Sequence, residues 1–321
     1  MATKQSVSYF IYYKSMKQPL VSIITPSYNN MQFIGECIES VLTQDYPHVE
    51  HIIQDGESTD GTLKVLKRYT GSKYNKRILW MSVPDRGQID ALNRALKRAR
   101  GDILLVLNAD DALMPYACSW AVKEMAKHKE AAVVYGDQYL INEKGAITGI
   151  GVTGPFDFVK FLCIEQYMAT QAAFIRRSCF ESVGMWVDQS LETMPDYELW
   201  LRIAARYPMQ YASKAVTKYR IYPHWDGKHP RTARRFIKAK STVLERWLTD
   251  PAKPYLQTLR KRAYAGLYLW IAEEILNLGN YKDYALYSIL SLLTYPKRST
   301  IMRLRTVFYE KLWRKWQQKN L

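Results

Sequence analysis

Residues 19–136 alternate short apolar runs rich in β-branched side chains with stretches of helical periodicity. That alternation admits little besides a sheet built from βαβ units. The runs at 20–25, 49–54, 77–82, 103–107 and 131–135 predict strands. Between the first two, segment 31–44 puts Ile34, Cys37, Ile38, Val41 and Leu42 on one helical face, and segments 62–69 and 88–100 read likewise. Strands joined through helices require right-handed crossovers and give a mostly parallel sheet. Turn pairs Pro26-Ser27, Asp55-Gly56, Asp60-Gly61 and Arg86-Gly87 mark the strand ends. Ligands of such sheets bind outside the carboxyl ends of the strands, so those ends are the places to look for chemistry.

Beyond Gly136 the regularity weakens. Segment 138–150 predicts a hairpin turning near Glu143-Lys144-Gly145, and 196–207 an amphipathic helix burying Leu199, Trp200, Ile203 and Ala204. The remainder predicts helices at 231–248, 255–277, 281–294 and 298–318, the third with the look of a paired-helix unit. The expected organisation is an N-terminal extension over 1–18, an α/β domain over 19–227 and a basic helical region over 228–321.

Charge follows that division. Of the net +16, residues 228–321 carry +14, from 20 basic and 6 acidic side chains, and residues 1–227 only +2. The basic helices fit a solvated surface or attraction to a polyanion. With 48% apolar residues the 321-residue chain can build a substantial core. Four scattered cysteines without CxxC spacing fit a reducing compartment and argue against a disulfide framework or structural zinc. Neither a signal peptide nor a spanning helix is expected, and a cytoplasmic location is.

Several motifs can be set aside. The run Gly149-Ile150-Gly151-Val152-Thr153-Gly154 has dinucleotide-binding glycine spacing, but it sits late and runs into Pro155. There is no phosphate-loop signature, no G-x-S-x-G and no H-E-x-x-H.

The informative cluster is Leu107-Asn108-Ala109-Asp110-Asp111, directly after a buried run. Adjacent carboxylates at a strand end repel each other, and a divalent cation bridging them to phosphate oxygens would remove that cost. The competing interpretation is a polar turn in which Asp111 caps the next helix. Asp55 ends the second strand in Gln54-Asp55-Gly56-Glu57-Ser58-Thr59-Asp60-Gly61. It could accept an N–H from a ligand ring, or the stretch could be a turn with a helix cap at Asp60. Asp196 opens its helix after Pro195. It serves there as a cap or as a rigidly held base.

Five blocks in order resemble the family 2 glycosyltransferases. They are Val21-Ser22-Ile23-Ile24-Thr25-Pro26-Ser27-Tyr28-Asn29, residues 54–62, residues 84–93, residues 107–111 and Asp196-Tyr197-Glu198-Leu199-Trp200-Leu201-Arg202. The resemblance covers residues 19 to about 222 and says little about the C-terminal third. It implies a GT-A fold and an inverting hexosyltransferase using a nucleoside-diphosphate sugar, with a UDP-sugar the favoured donor and Mg2+ or Mn2+ as cofactor. By position, Thr25, Pro26 and Tyr28 would line the nucleoside pocket, Asp55 would hold the base, and Asp85 and Gln88 would border the donor. Asn108-Ala109-Asp110 stands at the D-x-D element, making Asp110 the main metal ligand with Asp111 beside the sugar. Asn108 replaces the first acid of that element, so part of the ion's shell falls to water. Asp196 matches the catalytic base, although Pro195 replaces the acid usual before it. Thr170-Gln171 stands where many relatives have His-Gln. Arg220 to His224 resembles the segment closing over the diphosphate, with His224 a further metal or phosphate contact.

The resemblance implies a glycan or lipid-linked acceptor, with bacterial surface polysaccharide assembly the family-level expectation. The aromatics Phe156, Phe158, Phe161, Tyr167, Trp186, Trp200 and Trp225 are expected mostly in the core, with one or two walling an acceptor sugar. In 303–319 cations interleave with Leu304, Phe308, Leu312, Trp313 and Trp316. That pattern fits an interfacial helix on an anionic membrane surface, or an oligomer seam with the cations outward. A sugar nucleotidyltransferase would share the α/β layout and the metal, but would carry a glycine-rich loop after strand one, where Pro26-Ser27-Tyr28-Asn29 stands. A basic nucleic-acid-binding protein would account for the +14 but not for the carboxylates at three element ends. Nucleic acid is the disfavoured partner.

Overall fold

The computed structural model describes residues 18–70, 77–184, 187–191, 193, 195–222, 230–277, 280–297, 300–302 and 304. Strands β1 (Val21–Ser27), β2 (Val49–Asp55), β3 (Ile78–Ser82) and β4 (Ile103–Val106) run parallel in the order β3-β2-β1-β4. Every residue of β1 and β2 is buried, because helices cover both faces of a parallel sheet. The connecting helices are α1 (Ile34–Leu42), α2 (Thr62–Arg68) and α3 (Gln88–Arg98). Helix α1 buries the five side chains that its periodicity selects, and α3 buries Ala91, Leu92, Ala95 and Leu96 while ending in Lys97 and Arg98.

The other half of the sheet is mixed. A two-residue strand β5 (Ala112–Leu113) precedes helix α4 (Ala117–Lys127) and the long strand β6 (Val133–Ile141). The expected hairpin is present as β6 and β7 (Ile147–Gly151), antiparallel and turning through Gly145 at φ 79°. The glycine run at 149–154 belongs to this hairpin, which is not the strand–turn–helix of a dinucleotide site. After α5 (Phe158–Leu162), strand β8 (Ala173–Arg176) inserts antiparallel between β4 and β6. Then follow α6 (Arg177–Ser182), α7 (Pro195–Ala204) and the twelve-residue β9 (Met209–Arg220), parallel to β6 and antiparallel to β5. Together these form one nine-stranded sheet with flanking helices.

Helices α8 (Pro230–Leu248), α9 (Arg260–Asn277) and α10 (Tyr281–Thr294) follow, the last two packed as a hairpin in which Ser291 Oγ donates to the Ala265 carbonyl at 2.8 Å. They share the main core: Val243, Leu244, Leu267 and Ile271 lie in one buried cluster with Leu92, Leu96 and Trp200. Gly266 makes the join. A Cβ there would lie 1.8 Å from the Cys163 carbonyl oxygen, so only glycine lets α9 approach this closely. Glu165 adds polar ties, accepting from Arg262 at 2.8 and 2.7 Å and from Lys297 at 3.1 Å. Among the described residues no helix is long and apolar enough to cross a membrane. The 1–18 extension up to Met16-Lys17, and nearly all of the basic segment 303–319, lie outside the described residues.

Candidate active site

The carboxyl ends of β1 to β4 open into a cavity of about 1120 Å³. Pro26 and Tyr28 border it after β1, Gly56 after β2, Asp85 and Gln88 after β3, and Asn108 and Asp110 after β4. Asp196 reaches the same cavity from the first turn of α7. Seven of the residues singled out from the sequence thus converge on one space.

Three others stand behind its wall. Thr25 is fully buried, its Oγ1 2.9 Å from His51 Nε2. Burial lowers that imidazole to a pKa of about 3, which keeps it neutral. Asp55 is also fully buried, and its carboxylate accepts from Ser58 N (3.0 Å), Ser58 Oγ (2.5 Å) and Ser82 Oγ (2.7 Å). It organises the turn at Gly56. Asp111 accepts from the Arg220 backbone N–H at 2.9 Å and from Asn108 Nδ2 at 3.0 Å. Burial, with Asp110 adding to it, holds the Asp111 carboxyl well above its usual range. The expected pair of cavity-facing carboxylates is therefore one, Asp110. Asp111 caps no helix either; it abuts β5, and α4 starts only at Ala117. His224, Trp186 and Trp225 lie outside the described residues.

The Asn108–Asp111 turn is pinned from β9. Arg220 Nε donates to the Asp110 carbonyl at 2.9 Å and Nη1 to the Asn142 carbonyl at 2.9 Å, while Nη2 pairs with Glu36. The guanidinium also lies over the Phe33 ring, 4.4 Å from its centre. Just beyond, the Tyr222 hydroxyl donates to Asp110 Oδ2 at 2.8 Å. Burial, reinforced by that carboxylate, pushes the phenol far up, so it stays a donor. Gln88 Nε2 stands 3.4 Å from Asn108 Oδ1, on the cavity side of the same turn.

Elsewhere on the lining, Thr170 Oγ1 donates to Asp196 Oδ2 at 3.0 Å and accepts from Trp200 Nε1 at 3.2 Å. The Tyr197 N–H reaches Asp196 Oδ1 at 2.9 Å. Both carboxylate oxygens are thereby oriented. Among the described residues no group of three or more His, Cys, Asp or Glu side chains gathers as a metal cluster. What is present suits a hard divalent ion held jointly with a substrate: one carboxylate, an amide oxygen next to it, and room for phosphate oxygens and water.

One wall went unmarked in the sequence. Phe236 and Lys240 of α8 and Trp270 and Glu274 of α9 line the cavity, as does Tyr219 of β9. A signal existed for Lys240. It interrupts the apolar stripe that Ile237, Val243, Leu244 and Leu248 lay along α8. Among the described aromatics of the expected set, Tyr167, 55% exposed, lines the cavity, whereas Phe161 and Trp200 are core.

A protein-family model described as "Glycosyl transferase family 2" matches residues 22–182. Among curated proteins, the chain is 31% identical over 186 residues to a chondroitin synthase of Pasteurella multocida, a match covering 58% of this chain and 19% of that protein. It is 44% identical over 95 residues to a putative teichuronic acid biosynthesis glycosyltransferase of Bacillus subtilis, covering 29% and 37%. These matches span well under half of each relative. In fold it resembles S. aureus TarS 1-349, with a TM-score of 0.62 at 17% identity over 92% of this chain and 91% of that one. It also resembles the Pyrobaculum calidifontis mannosyltransferase PcManGT, crystallised with GDP-Man and Mn2+, with a TM-score of 0.61 at 20% identity over 97% and 90%. The GT-A architecture expected from the sequence is borne out.

Proposed function

The chain belongs to glycosyl transferase family 2, and from that membership we propose that it moves a hexosyl group from a nucleoside-diphosphate sugar to an acceptor hydroxyl with inversion at the anomeric carbon. The observation that carries this reading is that Asp110 and Asp196 line one and the same cavity. A UDP-sugar is the proposed donor. TarS was solved with UDP and with UDP-GlcNAc, and PcManGT with GDP-Man, which supports a nucleoside-diphosphate sugar as donor.

Pro26 and the exposed Tyr28 ring offer faces for the nucleoside, with Asp85 at its edge. Asp55, buried behind the wall, sets the shape of that pocket through the Gly56 turn and does not itself face the base. Asp110 and Asn108 would hold Mg2+ or Mn2+, with the remaining ligands from the donor's phosphates and water. When bound, such an ion neutralises charge building on the departing diphosphate. Gln88 and Asn108 border the sugar beside Asp110, and Asp111 supports them from behind through its bond to Asn108.

Asp196 takes the proton of the acceptor hydroxyl as its oxygen attacks C1 from the face opposite the diphosphate. One displacement of this kind inverts the centre without a covalent enzyme intermediate. The acceptor is proposed to be a glycan or a lipid-linked sugar in polysaccharide assembly, in keeping with the names of the relatives. Docking of the basic C-terminal segment on anionic lipid belongs to the same proposal, as does a cytoplasmic place of action.

Thermal-shift screening of UDP-, GDP- and dTDP-sugars with Mn2+ or Mg2+ tests the donor. Stabilisation by UDP-sugars that Asp110→Ala abolishes is the expected result. Full activity in EDTA would contradict the metal assignment.

A further inference from the structure

Lys240 combines features that a merely structural lysine would not. It is 7% exposed, on the inner stripe of α8, and it lines the catalytic cavity. Its ammonium lies 4.6 Å from the centre of the Tyr197 ring and 4.8 Å from that of Trp270. Ring faces favour a cation but take none of its three N–H donors. Among the described residues it forms no ion pair with a carboxylate and donates to no hydrogen-bond acceptor. The ammonium therefore has donors to offer on the cavity side, and an anionic ligand that supplies oxygens there would take them in place of water.

The neighbours say which ligand. Donor-side groups come from the ends of β1 to β4, whereas Lys240 is packed against Tyr197, the residue after Asp196, on the wall built by α8 and α9. That wall lies wholly beyond the stretch matched by the family model, residues 22–182. Asp196 and Glu274 are the carboxylates that act on the amine electrostatically. Burial, with Glu273 beside it, raises the Glu274 carboxyl above its usual range, and Lys240 partly offsets that. Asp196 faces the hydroxyl to be activated.

We propose that Lys240, caged by Tyr197 and Trp270, is a specificity residue that binds an anionic group, a carboxylate or a phosphate, carried by the acceptor. The proposal rests on the transferase reading above. A charge-assisted contact at this site would seat the acceptor so that its hydroxyl meets Asp196, and would reject neutral glycans that leave the amine unpaired.

Matched probes test it on the full chain, with and without UDP and Mn2+. Para-nitrophenyl β-D-glucuronide is compared with the corresponding glucoside, and glycerol 3-phosphate with glycerol, by calorimetric or NMR titration. At least one anionic probe should bind about tenfold or more tighter than its neutral twin, the effect of one charged hydrogen bond. Lys240→Met should erase that preference and Lys240→Arg should keep it. The glucuronide or the glycerol phosphate, whichever gains more, identifies the anion's source. Equal binding of charged and neutral probes by the wild type would overturn the proposal. So would a Lys240→Met variant that keeps the preference, or one that weakens UDP by the same factor, which would assign the amine to the donor. Failure of the wild type to bind any UDP-, GDP- or dTDP-sugar would overturn the donor reading instead, because the probe titration needs no nucleotide.

Discussion

Thr170 Oγ1 donates a hydrogen bond to Asp196 Oδ2 at 3.0 Å, which ties the first turn of α7 to the short 3₁₀ turn Thr170–Ala172 ahead of β8. Thr170 in turn accepts from the buried Trp200 indole, so the carboxylate's orientation is anchored in the core. Thr170→Val should lower kcat by about tenfold, the worth of one hydrogen bond to a charged group, and leave donor affinity unchanged. Single-turnover kinetics beside a donor titration would read both. A matching loss of donor affinity would contradict the positioning role.

Tyr222 is the donor to the other cavity-lining acid, Asp110. Tyr222→Phe should weaken metal-dependent donor binding about threefold to tenfold, less than Asp110→Ala, because the carboxylate stays but loses the contact that aims it. Donor titrations at several Mn2+ concentrations would separate the two variants.

Gly266 controls the seating of the C-terminal helices. Gly266→Ala should destabilise the protein by about 1–3 kcal/mol in urea unfolding, since its Cβ meets a backbone carbonyl that cannot swing away. The strain falls on α9, which carries Trp270 and Glu274, so acceptor affinity should drop before donor affinity does.

Lys240 predicts a pH dependence of stability. Burial lowers its pKa from 10.5 to about 8, partly offset by Asp196 and Glu274. Between those values the unfolded chain binds the extra proton, so the folding penalty of this ammonium is complete below pH 8 and fades as pH rises towards 10.5. Lys240→Met should be more stable than wild type at pH 7, and the gap in Tm should shrink through that window. A constant gap would contradict the shift.

Much of the N-terminal half was legible because burial on both sheet faces writes β1 and β2 as unbroken apolar runs, and α1 as a clean helical stripe. Strand β9 was not legible. Its sequence MQYASKAVTKYR carries lysines at 214 and 218, and its strand form comes from pairing with β6, far away in the chain. With β9 went the reason Arg220 and Asp111 face each other. Local spacing likewise could show that Asp110 and Asp111 are adjacent, but not that the Arg220 backbone draws one of them out of the cavity. The wall from α8 and α9 depends on Gly266 packing against Cys163, a tertiary contact; the lysine on an apolar stripe was its one written trace.

The measurement that bears most directly on the account is a paired determination on Asp196→Asn: donor dissociation constant and kcat for transfer. The account predicts a kcat reduced by about 10²–10⁴ with donor affinity within about twofold of wild type. Turnover at the wild-type rate, or loss of donor binding in parallel with turnover, would contradict Asp196 as the base that primes the acceptor.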